Sequence, residues 1–194
     1  MKYGIDTFGP QLWDGAAPEL AVAGPNVGSN LFVAVPFSGT VGAVAYAAET
    51  AGIPSIAFSG ASDGRLRWDT SPVPSRSTVY AELATLLTNK IVDSGTPYLP
   101  ENIFLNVNFP EVDDNCAAVE DFKFVLSRIN PGIVSEPDVE WCGSDRLPVE
   151  LDVINADGCF ASVSIGDATD KTTANDDRQD VVLEKLKDIL VCLP

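Results

Sequence analysis

Histidine is absent from the 194 residues. That one absence removes Ser-His-Asp and Cys-His nucleophile systems, phosphohistidine intermediates and His-ligated zinc. Basic residues are scarce as well: 12 Lys and Arg stand against 28 Asp and Glu, a net charge of −16. So acidic a chain is poorly suited to nucleic acid or to an anionic membrane, since both are gripped through Lys and Arg. It fits acidic surroundings, and an anionic substrate would need local relief from a metal or from helix amides. No apolar run is long enough to span a bilayer, the longest lying around Leu31 to Phe37. No signal peptide is visible, because Met1-Lys2-Tyr3-Gly4 leads directly into ordinary domain sequence. Neither a G-x-G-x-x-G nor a Gly-Lys-Ser/Thr motif occurs, so both common nucleotide fingerprints are missing and a dinucleotide oxidoreductase is disfavoured. None of the four cysteines forms a C-x-x-C pair, which argues against zinc knuckles and thioredoxin-type chemistry.

Hydrophobic residues make up 45% and charged residues 21% of the chain, enough apolar material for one packed domain or one with an appendage. The stretch from Leu20 to Gly52 organises the rest. Leu20 to Ala23 reads as a buried strand, stopped by Gly24-Pro25. Asn26, Gly28, Ser29 and Asn30 form a small polar loop, and Ser38-Gly39-Thr40 opens an alanine-rich helix that Gly52 should end. A strand, a polar glycine loop and a helix start in this order mark the place where α/β sheets bind ligands. The first amides of a helix lack internal partners and carry partial positive charge, so glycine and serine there can admit an anion. An oxygen-rich loop beside it, with Asn26 and Asn30, can hold a hard cation. Ser38 or Thr40 can equally be a plain N-cap, and the glycines a plain turn.

Further along, weak helical character near Tyr3 should break at Gly9-Pro10, and Ile53 to Ser59 should be a buried parallel strand. Gly60 to Arg76 reads as a polar loop in which Arg65 or Arg67 could touch a phosphate and Trp68 could stack on a base, although a solvated surface loop is the plainer reading. Ser77 to Ser94 is the clearest helix, with Val79, Leu83, Leu86, Leu87 and Ile91 at helical spacing, a cap at Ser75 or Ser77 and Gly95 as its end. Ile103 to Phe109 alternates as a strand with Asn106 and Asn108 on one face. Beyond Glu111, Phe122 to Ser127, Val149 to Ile154 and Cys159 to Ile165 read as strands of a smaller antiparallel unit, followed by a helix over Val181 to Leu190. Trp141 is expected to pack against a disulfide, and Asp176-Asp177 to serve the dipole of the last helix. The four cysteines suggest two disulfides, and closeness in sequence favours Cys116–Cys142 and Cys159–Cys192.

The run Gly24-Pro25-Asn26-Val27-Gly28-Ser29-Asn30, followed by Ser38-Gly39-Thr40-Val41-Gly42-Ala43, resembles the SurE family of metal-dependent phosphatases and nucleotidases. Leu105-Asn106-Val107-Asn108-Phe109-Pro110 and Ala161-Ser162-Val163-Ser164-Ile165 are similar to two further strands of that family, and both chain ends look like its secreted fungal branch. The resemblance implies an α/β, Rossmann-like three-layer fold with a β-rich C-terminal appendage. Residues 1–110 would form a partial α/β domain lacking its first strand, and residues 111–194 the β-rich extension and terminal helix of the same domain. It implies hydrolysis of phosphate monoesters by an acid phosphatase or a 5′/3′-nucleotidase, dependent on Mg²⁺ or Mn²⁺, in an extracellular full-length parent. Asn26 matches the family's metal-binding asparagine, and Ser38, Gly39 and Thr40 match its phosphate-holding segment. The family's adjacent aspartates, in a Thr-Asn-Asp-Asp-Gly motif, and a following serine have no counterpart here; Ala174-Asn175-Asp176-Asp177 lacks the glycine and the preceding strand. The alternative is a non-catalytic remnant that binds anions or mediates association, with an exposed sheet edge open to a homodimer.

Overall fold

The computed structural model describes residues 1–62 and 64–194; Asp63, within the expected Gly60 to Arg76 loop, lies outside the described residues. A five-stranded sheet runs through the molecule in the order β1 (Ala21–Val27), β2 (Ser55–Gly60), β3 (Ile103–Phe109), β5 (Phe160–Asp167), β4 (Lys123–Ser127). β1, β2 and β3 are mutually parallel, β5 is antiparallel to β3, and β4 is parallel to β5. Helices α2 (Gly39–Ala45) and α4 (Glu150–Asn155) cover one face, while α3 (Ser75–Asp93) and α5 (Asp176–Leu186) cover the other, giving the three layers expected of a Rossmann-like α/β fold.

The two faces of the sheet differ in chemistry. Ile56, Phe58, Leu105, Val107, Val163 and Ile165 point to the α3–α5 side, where Leu83, Leu87, Ile91, Val182 and Leu186 meet them in the main core. The alternate residues Ser59, Asn106, Asn108, Ser162, Ser164 and Ser127 are fully buried. They form a polar stripe facing the side of α2 and α4. Strand alternation sends every second residue to this face, so the stripe is one continuous surface across four strands.

Several expected elements differ in detail. The N-terminal segment is helical through a π-helical turn, Gly4–Phe8, into α1 (Gly9–Leu12). Gly9-Pro10 does not break it, because Pro10 lies in the first turn of α1, where a missing N–H costs nothing. Apolar Phe32–Phe37 forms a 3₁₀ helix. α2 continues into a π-helical turn, Tyr46–Thr50, before Gly52. α3 begins at Ser75 rather than Ser77; its N-cap is Pro74, and neither Ser75 nor Ser77 caps it. The smaller antiparallel unit does not form. β4 and β5 join the main sheet side by side and parallel, and Val149 to Ile154 is not a strand but the start and body of α4.

The disulfides are Cys116–Cys159 and Cys142–Cys192, not the sequence-adjacent pairs. Strand pairing is the cause: Lys123 lies opposite Phe160 and its amide donates to the Cys159 carbonyl at 2.9 Å, which brings the approach to β4 beside the start of β5. The tail then runs along the outer edge of β4, where the Val191 amide donates to the Phe124 carbonyl at 2.9 Å, and this carries Cys192 to Cys142. Trp141 lines a cavity with both Cys142 and Cys192. The long Asn130 to Pro148 connection is held by buried Arg128, whose Nη1 donates to Asp138 Oδ2 at 2.6 Å; Asp138 also accepts from Gln179 Nε2 of α5 at 2.9 Å. Among the described residues no helix is long and apolar enough to cross a membrane.

Candidate functional site

β1 does not end cleanly. Its register against β2 shifts between Ala23 and Asn26, an irregularity that re-aims the chain at the sheet's carboxyl edge. Gly24 makes this possible: its φ is +103°, and a Cβ there would stand 2.1 Å from the Phe58 carbonyl oxygen. No other residue fits so close to the neighbouring strand. Asn26 Nδ2 then donates to the Gly28 carbonyl at 2.8 Å and to the Val27 carbonyl at 3.2 Å, folding the loop on itself.

Beyond that turn the chain enters the polar stripe. Asn30, only 5% exposed, donates its amide to Asn108 Oδ1 at 2.7 Å and to Ser59 Oγ at 3.2 Å. Its carbonyl accepts from Asn106 Nδ2 at 2.8 Å and from Asn108 Nδ2 at 3.2 Å. Asn106 and Asn108 therefore tie down the loop. The Asn30 side chain continues outward, its Oδ1 accepting from Ser38 Oγ at 2.8 Å. Ser38 is the N-cap of α2, and its Oγ in turn accepts the Val41 amide at 3.1 Å. One hydroxyl thus caps the helix and fastens it to the glycine loop. The amides of Gly39 and Thr40 occupy the first helical positions, which have no carbonyl partner within the helix. A Cβ added at Gly39 would meet nothing within 4 Å, so this turn faces open space.

Of the residues singled out in the sequence, Ser38, Gly39 and Thr40 stand together, joined to the loop through Asn30. Asn26 lies apart from them in one respect. It lines a cavity of about 240 Å³ with Gly60, Ser62, Arg76 and Tyr80, among others, and none of Ser38, Gly39 or Thr40 lines that cavity. The donor set does not suit a magnesium or manganese ion, which is held chiefly by carboxylates. Asn26 offers one neutral oxygen, and among the described residues no group of three or more His, Cys, Asp or Glu comes together. Arg67 pairs with Asp69 on the surface, and Trp68 is 97% exposed, as a solvated loop requires.

The structure adds a residue that the sequence reading missed. Glu150, the first residue of α4, is fully buried. Its Oε1 accepts the Phe32 amide at 2.8 Å, and its Oε2 accepts from Asn106 Nδ2 at 2.9 Å and Ser164 Oγ at 3.1 Å. Burial among these neutral groups pushes its carboxyl up to about 8, so it is mostly protonated at neutral pH. The legible signal was the pairing of Asn106 and Asn108 with Ser162 and Ser164 on otherwise apolar strands, which requires polar partners on that face.

The architecture has known counterparts. Residues 1–130 match the family model described as survival protein SurE. An acid phosphatase of Yarrowia lipolytica is 30% identical over 193 residues, an alignment covering 85% of this chain and 54% of that protein. A 5′-nucleotidase SurE of Deinococcus radiodurans is 36% identical over 123 residues, covering 63% of this chain and 41% of its own. The solved SurE protein of Aquifex aeolicus, at 18% identity, shares the fold with a TM-score of 0.58 over 94% of this chain and 70% of that one. The chain spans about half the length of the curated relatives it matches. With a family model matching residues 1–130 and a relative 30% identical over 85% of this chain, the chain belongs to the SurE family.

Proposed function

We propose that this chain carries the phosphate cradle of a phosphomonoester hydrolase, of the acid phosphatase or 5′/3′-nucleotidase kind, within a secreted parent. The observation that carries the reading is the double role of Ser38, which caps α2 and bonds to Asn30 of the glycine loop. That arrangement presents the Gly39 and Thr40 amides to open space, where they can hold non-bridging phosphate oxygens and stabilise charge that develops during transfer. Asn30 Nδ2 supports it: this buried donor has no partner among the described residues, the condition expected where a ligand oxygen completes the bond. Relatives named acid phosphatase and 5′-nucleotidase support the reaction class. The two disulfides fit an oxidising compartment, and so a secreted parent.

A divalent cation, Mg²⁺ or Mn²⁺, would supply the activated water in this family's chemistry, but the described residues do not form its site, and the reading calls for acidic ligands from elsewhere. The test is turnover of an aryl phosphate with each metal. Activity that disappears in Asn26→Ala and in Ser38→Ala supports hydrolysis. A second reading, a non-catalytic anion-binding or association module, is favoured by the lack of an acidic cluster among the described residues and by the outer position of β1, an edge on which a second copy could pair. Orthophosphate binding without turnover under either metal would select it, and a dimer in solution would add the association role.

A further inference from the structure

Among the described residues Glu150, on α4, is the one carboxylate that bonds to the polar stripe, and its bonds converge on the turn that leads to α2. Phe32 has a φ of 40°, a left-handed conformation rare for a bulky residue, and its amide is held by Glu150 Oε1. Glu150 Oε2 accepts from Asn106, whose Nδ2 also donates to the Asn30 carbonyl. Asn30 in turn receives the Ser38 hydroxyl. Two short routes therefore lead from Glu150 to the start of α2: the backbone from Phe32 through the 3₁₀ helix Phe32–Phe37, and the hydrogen bonds through Asn106 and Asn30.

We infer that Glu150 is a positioning residue for phosphate: it holds the Asn30 to Phe32 turn, and through that turn Ser38, in the arrangement that presents the α2 amides. The inference deepens the phosphate-cradle reading and rests on it. Glu150 touches neither the expected anion nor Asn26. It acts from α4, in the C-terminal part of the chain, upon a cradle formed in the N-terminal part. Its Oε1 accepts from Phe32, and its Oε2 accepts from Asn106 and from Ser164, whose Oγ lies 2.8 Å from Ser127 Oγ. Glutamine keeps the acceptor for Phe32 but sets an N–H against the donor Asn106 Nδ2, and alanine removes both acceptors.

The test compares the full chain with E150A, E150Q and V153A. Val153 is a buried residue of α4 that packs with Val125 and Phe160 and has no bond to the loop, so V153A reports the cost of loosening α4 alone. Two quantities are read: amide hydrogen exchange at Phe32 and Val41, and the affinity for orthophosphate by calorimetry. E150A should speed exchange at both amides by about tenfold or more and weaken orthophosphate to a similar degree, the scale of one lost charge-free buried hydrogen bond. E150Q should recover protection at Phe32, whose acceptor it keeps, and only part of the loss at Val41, since it no longer accepts from Asn106, and V153A should leave Val41 exchange near wild type. Unchanged Val41 exchange in E150A overturns the inference, as does an equal effect from V153A. A wild-type chain that neither binds orthophosphate nor turns over an aryl phosphate refutes the cradle reading itself, while Val41 exchange still decides whether Glu150 holds the α2 start.

Discussion

Ser38 shows how much one side chain can carry. Its hydroxyl accepts from Val41 and donates to Asn30, so Ser38→Ala removes a helix cap and leaves a buried amide oxygen without its donor. The two losses together should cost about 2 kcal/mol of stability. Ser38→Thr, which keeps both bonds, should restore most of it. Urea unfolding midpoints measure the stability, and orthophosphate titration of the same variants shows whether the cradle is lost with it. Glu150 makes a prediction of a different sort, set by pH. Its carboxyl is raised from 4.5 to about 8 by burial, so between those values the native chain keeps a proton that the unfolded chain has released. Stability must therefore fall as pH rises through that window, by at most about 1.4 kcal/mol per pH unit, and level off above it. Glu150→Gln removes the titration. The difference in unfolding free energy between variant and wild type should move in favour of the variant from pH 5 to pH 8. Parallel pH profiles for the two proteins would show that the carboxyl ionises normally in the fold.

Among the elements, the glycine loop offers a clean comparison. Gly24 and Gly28 both have positive φ, but a Cβ at Gly24 would strike the β2 backbone whereas one at Gly28 would meet nothing within 4 Å. Gly28→Ala should cost about 1 kcal/mol, for the backbone strain alone. Gly24→Ala should cost about 3 kcal/mol or more, because β1 must separate from β2 to admit the methyl group. Thermal unfolding of the two variants decides the order, and similar losses would mean that β1 is not held closely to β2. The same stretch explains what could be read in advance. β2 was legible as a buried apolar run, β3 by its alternation of Asn106 and Asn108 with apolar residues, and α3 by its helical stripe from Val79 to Ile91. α4 was not. Val149, Leu151 and Val153 alternate with acids as a half-buried strand would, yet the segment is helical and buries Glu150 and Val153 three residues apart, leaving Leu151 at 41% exposure. In an element of six residues the two periods cannot be told apart, and a carboxylate on a short amphipathic segment reads as solvent-facing. The local motif singled out Ser38, Gly39, Thr40 and Asn26 as candidates, while the residues that hold the loop beside them, Asn108, Ser59 and Glu150, come from distant strands and a helix.

At the scale of the molecule, both disulfides lie between residues 116 and 192, and neither touches the glycine loop or α2. Their sequence separations of 43 and 50 imply that each bridge removes loop entropy from the unfolded chain worth about 4 kcal/mol. That is a large share of the roughly 5–15 kcal/mol by which domains are stable. It could seem that reduction would loosen only the C-terminal part and spare β1 to β3. The strand order argues otherwise. β5 sits between β3 and β4, and it pairs with β3 from Ile103 to Asn108, so β3 becomes an edge once β5 leaves. The polar stripe would open with it, since Ser164 would no longer donate to Glu150, the carboxyl that also accepts from Asn106. Reduction of both bridges should therefore lower stability by several kcal/mol in one cooperative step, with amide exchange in β3 accelerating alongside that in β4 and with loss of orthophosphate binding. Peptide mapping of the oxidised protein should recover the peptides of Cys116 and Cys159 joined, and those of Cys142 and Cys192 joined. A reduced protein that keeps β1 to β3 protected while β4 exchanges freely would show that the two halves of the sheet are stable independently, contrary to the central place of β5.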